Sequence, residues 1–292
     1  MLLPIGARTV ALGQALTAAG GREAMFFNPA GLIDVDDDEF VVHRSTLTEA
    51  EVSTFSILIH SRVAGVFSLT YRLIDFGDTD AIPPGSQVPT GTLTTIDQML
   101  IASFATRIAG GWSAGLSYKL YDFRNTCSGA CGEGATFSGT THLLDAGLQF
   151  LPRNIRHLRF GASLMHSGLA LQINNAAQAD PTPARVRLGA AYEVGHHLQK
   201  DTTITVWAYG DLVQPIRNAD TPALNAGVEV VLDQTIFLRA GHSSSQYNVT
   251  AGGTGLGVGL KYQRFTLGVA KTFTSSTLEE GDPVHISFGV RF

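Results

Sequence analysis

The sequence predicts an all-β fold: a 14-stranded antiparallel transmembrane β-barrel preceded by an N-terminal hatch or plug segment. Three observations carry this reading. Apolar and polar residues alternate with period two from about Glu39 to Phe292. The polar positions of that alternation hold Gly, Ser, Thr and Arg rather than Lys and Glu. The connections between alternating runs are tight on one side and long and polar on the other, as in membrane barrels. Residues 1–37 lack the alternation and form the hatch segment, and residues 38–292 form the barrel.

The first 37 residues run through Gly6-Ala-Arg8-Thr-Val-Ala-Leu-Gly13 and then Asn28-Pro-Ala-Gly-Leu32. Small residues and an Asn-Pro turn suit a compact segment folded against other structure. The alternative is a frayed N-terminal arm. As a plug, the segment would satisfy its polar backbone against inward-facing Ser, Thr and Arg. The strands follow at 38–47, 51–60, 62–74, 93–108, 111–123, 140–151, 157–168, 185–195, 202–213, 223–232, 235–244, 252–262, 264–273 and 283–292. In the last of them Val284, Ile286, Phe288, Val290 and Phe292 point one way, and His285, Ser287, Gly289 and Arg291 the other. Leu256, Val258, Leu260 and Tyr262 alternate with Gly255, Gly257, Gly259 and Lys261 in the same manner. Tight turns fall at Ser61, Ala109–Gly110, Pro152–Arg156, His196–Asp201, Asp233–Gln234 and Gln263. The long connections are 75–92, 124–139 and 169–184.

Composition removes several classes. The hydrophobic fraction is 44% and the net charge −5, which excludes disorder. With that charge and no Lys/Arg cluster, nucleic acid is not a partner. No apolar run reaches the ~18–20 residues of a transmembrane helix, a test that does not apply to barrel strands of ~10 residues. Met1–Ala11 has no basic region followed by an apolar one, so the chain is either cytosolic or numbered from inside a longer precursor. A soluble sandwich or propeller would also alternate, but its wet face needs many Lys and Glu, and this chain has four Lys. The terminal strand, with Phe288, Val290 and Phe292, looks like the signal read by the bacterial barrel-assembly machinery.

Several motifs invite chemistry. Gly111-Trp-Ser-Ala-Gly115 fits G-x-S-x-G, but alternation continues through Leu116, Tyr118 and Leu120, so Ser113 sits in a strand and not at a strand-to-helix elbow. The run Asp34-Val-Asp36-Asp-Asp-Glu39 lacks the spacing of a calcium loop and reads as a solvated turn. Gly252–Gly259 is spaced every second residue and opens no helix, which fits strand glycines facing the lumen. Asn248-Val-Thr250 is a glycosylation sequon without meaning in a bacterial protein. Cys127 and Cys131 are a candidate disulfide; with no second Cys pair and no adjacent His, a zinc site is disfavoured. No catalytic residue, metal or cofactor is expected.

Arg72, Arg107, Arg159, Arg185, Arg187, Arg239 and Arg291 fall on the lumen-facing side, with Asp145, Glu193, Asp211 and Glu229 as candidate partners. Guanidinium–carboxylate pairs there would bridge strands and anchor the plug. An anion-selective or ligand-binding lining is the functional alternative.

Gly6, Ala7, Arg8 and Gly13, together with Asn28, Pro29, Ala30, Gly31 and Leu32, resemble the N-terminal signature of the PorV/PorQ proteins, within the FadL-like class of fourteen-stranded outer-membrane barrels. Asp145-Ala-Gly-Leu148, Arg187-Leu-Gly-Ala-Ala-Tyr192, Asn225-Ala-Gly-Val-Glu229 and Leu238-Arg-Ala-Gly-His242 extend the resemblance along the chain. It implies a hatch in the lumen, both termini in the periplasm, and a native precursor with a signal peptide. It implies two roles. PorV-type members receive secreted cargo and hand it on within type IX secretion; FadL-type members pass hydrophobic molecules through a lumenal pocket and a side opening. The expectation is therefore a non-enzymatic outer-membrane protein that binds or hands on secreted proteins. The alternatives are a hydrophobic conduit and a structural subunit of a larger envelope assembly. The partners are outer-membrane lipids, the assembly machinery, and either secretion subunits and cargo or hydrophobic ligands.

The assigned faces yield a test. Val258→Arg puts a charge on the lipid face at a cost of about 2–4 kcal/mol and should block assembly, whereas Gly257→Ser on the lumen face should be tolerated. Folded yield of the two variants, read as heat-modifiable migration in gels, checks this; equal yields would contradict the faces.

Overall fold

The alternation becomes fourteen antiparallel strands: β1 (Glu39–Thr46), β2 (Glu51–Ser61), β3 (Gly65–Ala81), β4 (Gly91–Arg107), β5 (Trp112–Gly129), β6 (Phe137–Phe150), β7 (Leu158–Gly168), β8 (Arg185–Gln199), β9 (Thr202–Pro215), β10 (Ala223–Leu232), β11 (Ile236–Ser243), β12 (Gly253–Tyr262), β13 (Phe265–Phe273) and β14 (Val284–Arg291). Each pairs with its sequence neighbours, and β1 pairs with β14 through eight residue positions from Glu39↔Arg291 to Thr46↔Val284, closing the barrel. The computed structural model describes residues 2–47, 50–82, 88–131, 136–155, 157–173, 179–199, 202–216, 221–244, 253–273 and 283–292. The sequon Asn248–Thr250 and Gly252 lie outside the described residues.

Strand faces match the alternation. Phe55, Ile57, Phe67, Leu69, Leu116, Leu144, Leu188, Leu238, Leu256, Val258, Ile286 and Phe288 all point outward and are exposed. Inward positions are buried and mostly small or polar, such as Ser56, Thr70, Ser103, Ser117 and Ser287. A closed sheet with a continuous apolar exterior is stable only where that exterior meets lipid; closure leaves no unpaired edge. No helix among the described residues is long and apolar enough to cross a membrane, and the strands do the crossing.

Three departures from the sequence reading stand out. First, the connections expected at 75–92 and 124–139 are largely strand: β3, β4 and β5 run 17, 17 and 18 residues, well past the ~10 a membrane requires. Above the membrane both faces are wet, so Thr-rich polar stretches extend the ladder without alternation. Second, the segment Asp34–Glu39 is no free turn. Asp34 pairs with Arg159, Asp37 with Arg291 at 3.1 Å and Glu39 with Arg22 at 3.1 Å, while Asp38 accepts the His60 backbone N–H at 2.7 Å. Third, Gly257 does not tolerate a side chain. A Cβ there would meet the Ala11 Cβ at 2.6 Å, so Gly257→Ser is expected to destabilise as well, and equal yields of it and Val258→Arg would report this contact and not a wrong assignment of faces.

The last point is general. Residues 5–35 are almost entirely buried and include only one short helix, α1 (Ala7–Ala11), and two 3-10 turns (Ala24–Phe26 and Pro29–Asp34). Helix α1 lies against β11–β14, and the second 3-10 turn lies against β3–β6. The N-terminal segment therefore crosses the lumen from wall to wall. Its backbone rests on inward glycines, with Gly115 under Pro29 and Ala30, Gly161 under Thr17 and Ala18, Gly227 and Gly241 under Leu12, and Gly255 under Val10 and Ala11, while Gly147 leaves room for the Asn28 side chain. Several of these are cross-strand pairs, namely Gly115↔Gly147, Gly161↔Gly189 and Gly227↔Gly241↔Gly255. Glycine inside a strand is the expected residue where another backbone approaches this closely.

Gly161→Val would drive its side chain into the Thr17 carbonyl, an overpacking expected to cost about 1–3 kcal/mol or more. Ala162→Val, one residue along on the outer face, should change stability by about 0.5 kcal/mol or less. Urea midpoints of the folded gel band separate the two; coincident midpoints would exclude the backbone contact.

Candidate functional site

The site is the lumen, built from the N-terminal segment and the inward side chains. Gly6 opens α1 with φ 95°, and Gly13 turns the chain at φ 59° directly against the His242 backbone; both are left-handed conformations that favour glycine. The Ala7 N–H donates to Ser287 Oγ on β14 at 2.8 Å. Asn28 works in three directions. Its Oδ1 accepts the Ala30 N–H at 3.1 Å as an N-cap with Pro29 next in line, while Nδ2 donates to the Thr17 and Leu148 carbonyls at 2.8 and 2.9 Å. Gln149 Nε2 donates to the Ala19 carbonyl at 2.7 Å, and Ser163 Oγ to the Phe27 carbonyl at 2.6 Å. Gly31 packs beneath Ala19, with Leu32 fully buried behind it.

The charged side chains form a layer around this segment. Arg187 and Asp211 pair at 2.8 Å, both nearly solvent-free; Asp211 also accepts the Thr17 N–H and hydroxyl at 3.0 and 2.6 Å. Arg187 donates further to Thr17 Oγ1 and the Gln14 carbonyl. Glu229 is shared by Arg239 at 2.6 Å and Arg8 at 3.4 Å, with the Tyr209 hydroxyl donating to it at 3.0 Å. Arg159 and Arg291 reach the Asp34 and Asp37 carboxylates, and Arg107 donates to the Ile33 carbonyl. Asp145 takes Lys119 at 2.5 Å instead of an arginine, Glu193 takes His157 at 2.9 Å, and Arg185 donates to the Pro183 carbonyl. Arg72 is buried on the same face near Asp97. Sequence reasoning placed the arginines inward but missed Lys119. Its position in the alternation of β5 was the available signal.

On the long-connection side of the segment the lumen turns apolar. Met99, Ile101, Tyr121 and Leu143 form a buried cluster with Leu171, joined by Phe26, Phe123 and Ile173. Leu171 and Ile173 come from the connection after β7, which folds back over the β6 wall: Thr141 Oγ1 donates to the Leu169 carbonyl at 2.6 Å. This chamber is filled. The cavity left beside it, between the tip Leu2–Ile5 and Arg72, Lys119, His166 and Arg185, measures about 40 Å³, room for about one water at ~30 Å³ each.

The adjoining wall is irregular. Between Leu144↔Ser167 and Ala146↔Leu164 the β6–β7 ladder shifts register. Asp145 stands at that shift, accepting the His166 N–H at 2.7 Å, and His166 adopts φ 54°.

The remaining sequence candidates lie away from this chamber. Phe288 and Val290 are on the outer face of the closing strand, and Phe292 follows its last residue and is exposed. Cys127 and Cys131 form a disulfide at the exposed end of β5. Ser113 lies buried inside β5, so its G-x-S-x-G has no elbow. No group of three or more metal-ligating side chains comes together among the described residues.

No protein-family model matches the sequence, and none of the curated proteins does. Solved structures do. The chain is similar to the toluene transporter TodX of P. putida, with a TM-score of 0.66 at 12% identity, covering 100% of this chain and 99% of that one. It is similar to the toluene transporter TbuX of Ralstonia pickettii at a TM-score of 0.61 and 11% identity, with the same coverage. The monoaromatic hydrocarbon channel CymD aligns at 0.61 and 12%, over 99% and 97% of the two chains. At this identity the likeness establishes the fold alone, a closed fourteen-stranded antiparallel barrel.

Asp211→Ala removes the acceptor of both Arg187 and Thr17 and should cost about 3–5 kcal/mol, the range for an orphaned buried partner. Thermal unfolding of purified barrel measures this. The Arg187→Met/Asp211→Leu double variant should lose less than Asp211→Ala alone, and a larger loss would contradict the pairing.

Proposed function

We propose that the protein is a non-enzymatic bacterial outer-membrane conduit for hydrophobic small molecules, with the N-terminal segment as its hatch. The carrying observation is the apolar chamber of Met99, Ile101, Tyr121, Leu143 and Leu171, which sits inside a polar lumen on the long-connection side of the segment. Its apolar side chains are supplied by three barrel strands and by the connection after β7, the kind of lining that a site for apolar solutes needs. The similar solved structures are those of toluene transporters and a monoaromatic hydrocarbon channel, which supports the same reading. The chamber would admit a solute when Leu171 and Ile173 swing aside and the tip Leu2–Ile5 yields. The register shift at β6–β7, where the wall lacks regular pairing, is the proposed side exit. The short turns and both chain termini would face the periplasm. No observation on this barrel favours cargo handling of the PorV type or a purely structural role in an envelope assembly.

Initial uptake of radiolabelled toluene by cells carrying the barrel, against cells without it, tests the proposal. Met99→Trp adds bulk that keeps the chamber closed when Leu171 and Ile173 move, and should lower uptake by about tenfold, the effect of a barrier raised by ~1.4 kcal/mol, with the heat-modifiable fold retained. Uptake no faster than in cells without the barrel would overturn the conduit, and full uptake by folded Met99→Trp would move the path elsewhere.

A further inference from the structure

A large cavity among the described residues lies outside the lumen. It is a groove of about 790 Å³ on the outer wall, crossing six strands from β2 to β7. Its shape follows from two cross-strand rows of outward residues. One row runs Ile57–Leu69–Ala102–Tyr118–Leu144, and the other Ile59–Phe67–Phe104–Leu116–Ala146–Leu164. Ala102 sits between Leu69 and Tyr118, and Ala146 between Leu116 and Leu164. Where alanine replaces a large side chain the row drops to the sheet, and the flanking residues become walls. Almost the whole surface of the groove is hydrocarbon.

Two features decide what fills it. The groove is continuous with the lipid-facing belt, and its walls Leu116, Leu144 and Leu69 are exposed by 63%, 59% and 49%. The medium in contact with it is hydrocarbon chain, not water or protein. Five strand spacings make it about 24 Å long, and it runs obliquely because barrel strands tilt by ~35–45°; it therefore spans roughly half of the ~30 Å hydrocarbon core, one leaflet. The second feature is a polar pair at its edge. Tyr118 lines the groove, and its hydroxyl lies 2.5 Å from His142 Nδ1, also on the outer face. There a lipid ester or phosphate oxygen would find a hydrogen-bonding partner beside an apolar channel.

We propose that this groove is a binding site for one membrane phospholipid, an acyl chain lying over Ala102 and Ala146 with its polar end at Tyr118 and His142. The site rests on the membrane placement of the barrel and not on what crosses its lumen. A lipid held there would cover the outer side of the irregular β6–β7 wall, since Leu144, Asp145, Ala146 and Leu164 line both features.

The test is lipid retention. Barrel reconstituted in vesicles of phosphatidylethanolamine and phosphatidylglycerol is extracted into mild detergent, and native mass spectrometry counts the phospholipids that remain. Wild type should keep one phospholipid that survives dilution. Ala102→Phe fills the groove and should reduce its retention by about tenfold, as displacing two buried methylenes would. Tyr118→Phe should reduce it by about fivefold, the worth of one neutral hydrogen bond. Ala240→Phe, outward on the opposite wall, should leave it unchanged. Heat-modifiable migration confirms that each variant is folded. Undiminished retention by Ala102→Phe, or an equal loss in Ala240→Phe, would overturn the site, as would a retained species that is not a phospholipid. Toluene uptake by the same variants keeps the two readings apart. A barrel that binds the lipid but carries no toluene fails only as a conduit, and one that carries toluene but keeps no lipid fails only here.

Discussion

The contact between the backbone of the N-terminal segment and the inward glycines of the barrel constrains everything else in this structure. A barrel of fourteen strands leaves a lumen that side chains alone would not close. Here the closure is made by main chain against main chain, at Gly115, Gly161, Gly227, Gly241 and Gly255. Such contact removes water from peptide groups on both sides, so the freed polar groups must find partners. That requirement explains why Asn28, Gln149, Ser163, Asp211 and Ser287 all hydrogen-bond to the segment's backbone. The small inward residues and the polar inward residues thus answer one demand, the first by space and the second by hydrogen bonds.

The charged layer follows from the same geometry. Burying Arg187, Asp211 and Glu229 is costly unless each is paired and hydrogen-bonded. The segment supplies part of that satisfaction through Thr17, Gln14 and Arg8, so segment and barrel stabilise each other. At the short-turn end the acids Asp34, Asp37 and Glu39 tie the exit of the segment to Arg159, Arg291 and Arg22. Ala7 through Asp37 is consequently pinned at many points. The tip is different: Leu3 packs with Val52 and Ile74 by apolar contact. Under the proposed conduit, the tip is the part whose displacement costs least.

Strand number, order and facing were legible in the sequence because lipid outside and packed polar groups inside impose opposite demands on successive residues. Val258 and Gly257 could be assigned to faces on that basis alone. What lies against each face was not legible. Gly257 reads as a tolerant lumen position until Ala11 is seen to occupy the space beside it. Asp34–Glu39 reads as a solvated turn because an acidic run carries no sign of partners more than a hundred residues away, such as Arg159 and Arg291. The added length of β3, β4 and β5 was hidden for a related reason. Once the ladder rises out of the membrane, both faces meet water and the period-two signal vanishes while the hydrogen bonds continue. Asp145 was expected to meet an arginine and meets Lys119, since charge sign is visible in sequence and register is not.

The shift at β6–β7 shows how these demands meet at one residue. A regular ladder would place Asp145 opposite a single β7 residue, with its carboxylate in the lumen and no free N–H to accept. The register shift instead turns the His166 N–H toward Asp145 and leaves the carboxylate to bridge it to Lys119. Two buried charges are thereby satisfied, and the wall gives up regular pairing at that point. Directly outside lie Ala146 and Leu164, where the apolar groove passes over the same strands. Charge satisfaction inside and the irregular wall are therefore two aspects of one local arrangement. Any opening between β6 and β7 there has to break the hydrogen bond from the His166 N–H to Asp145, while Lys119 on β5 and Asp145 on β6 can stay paired.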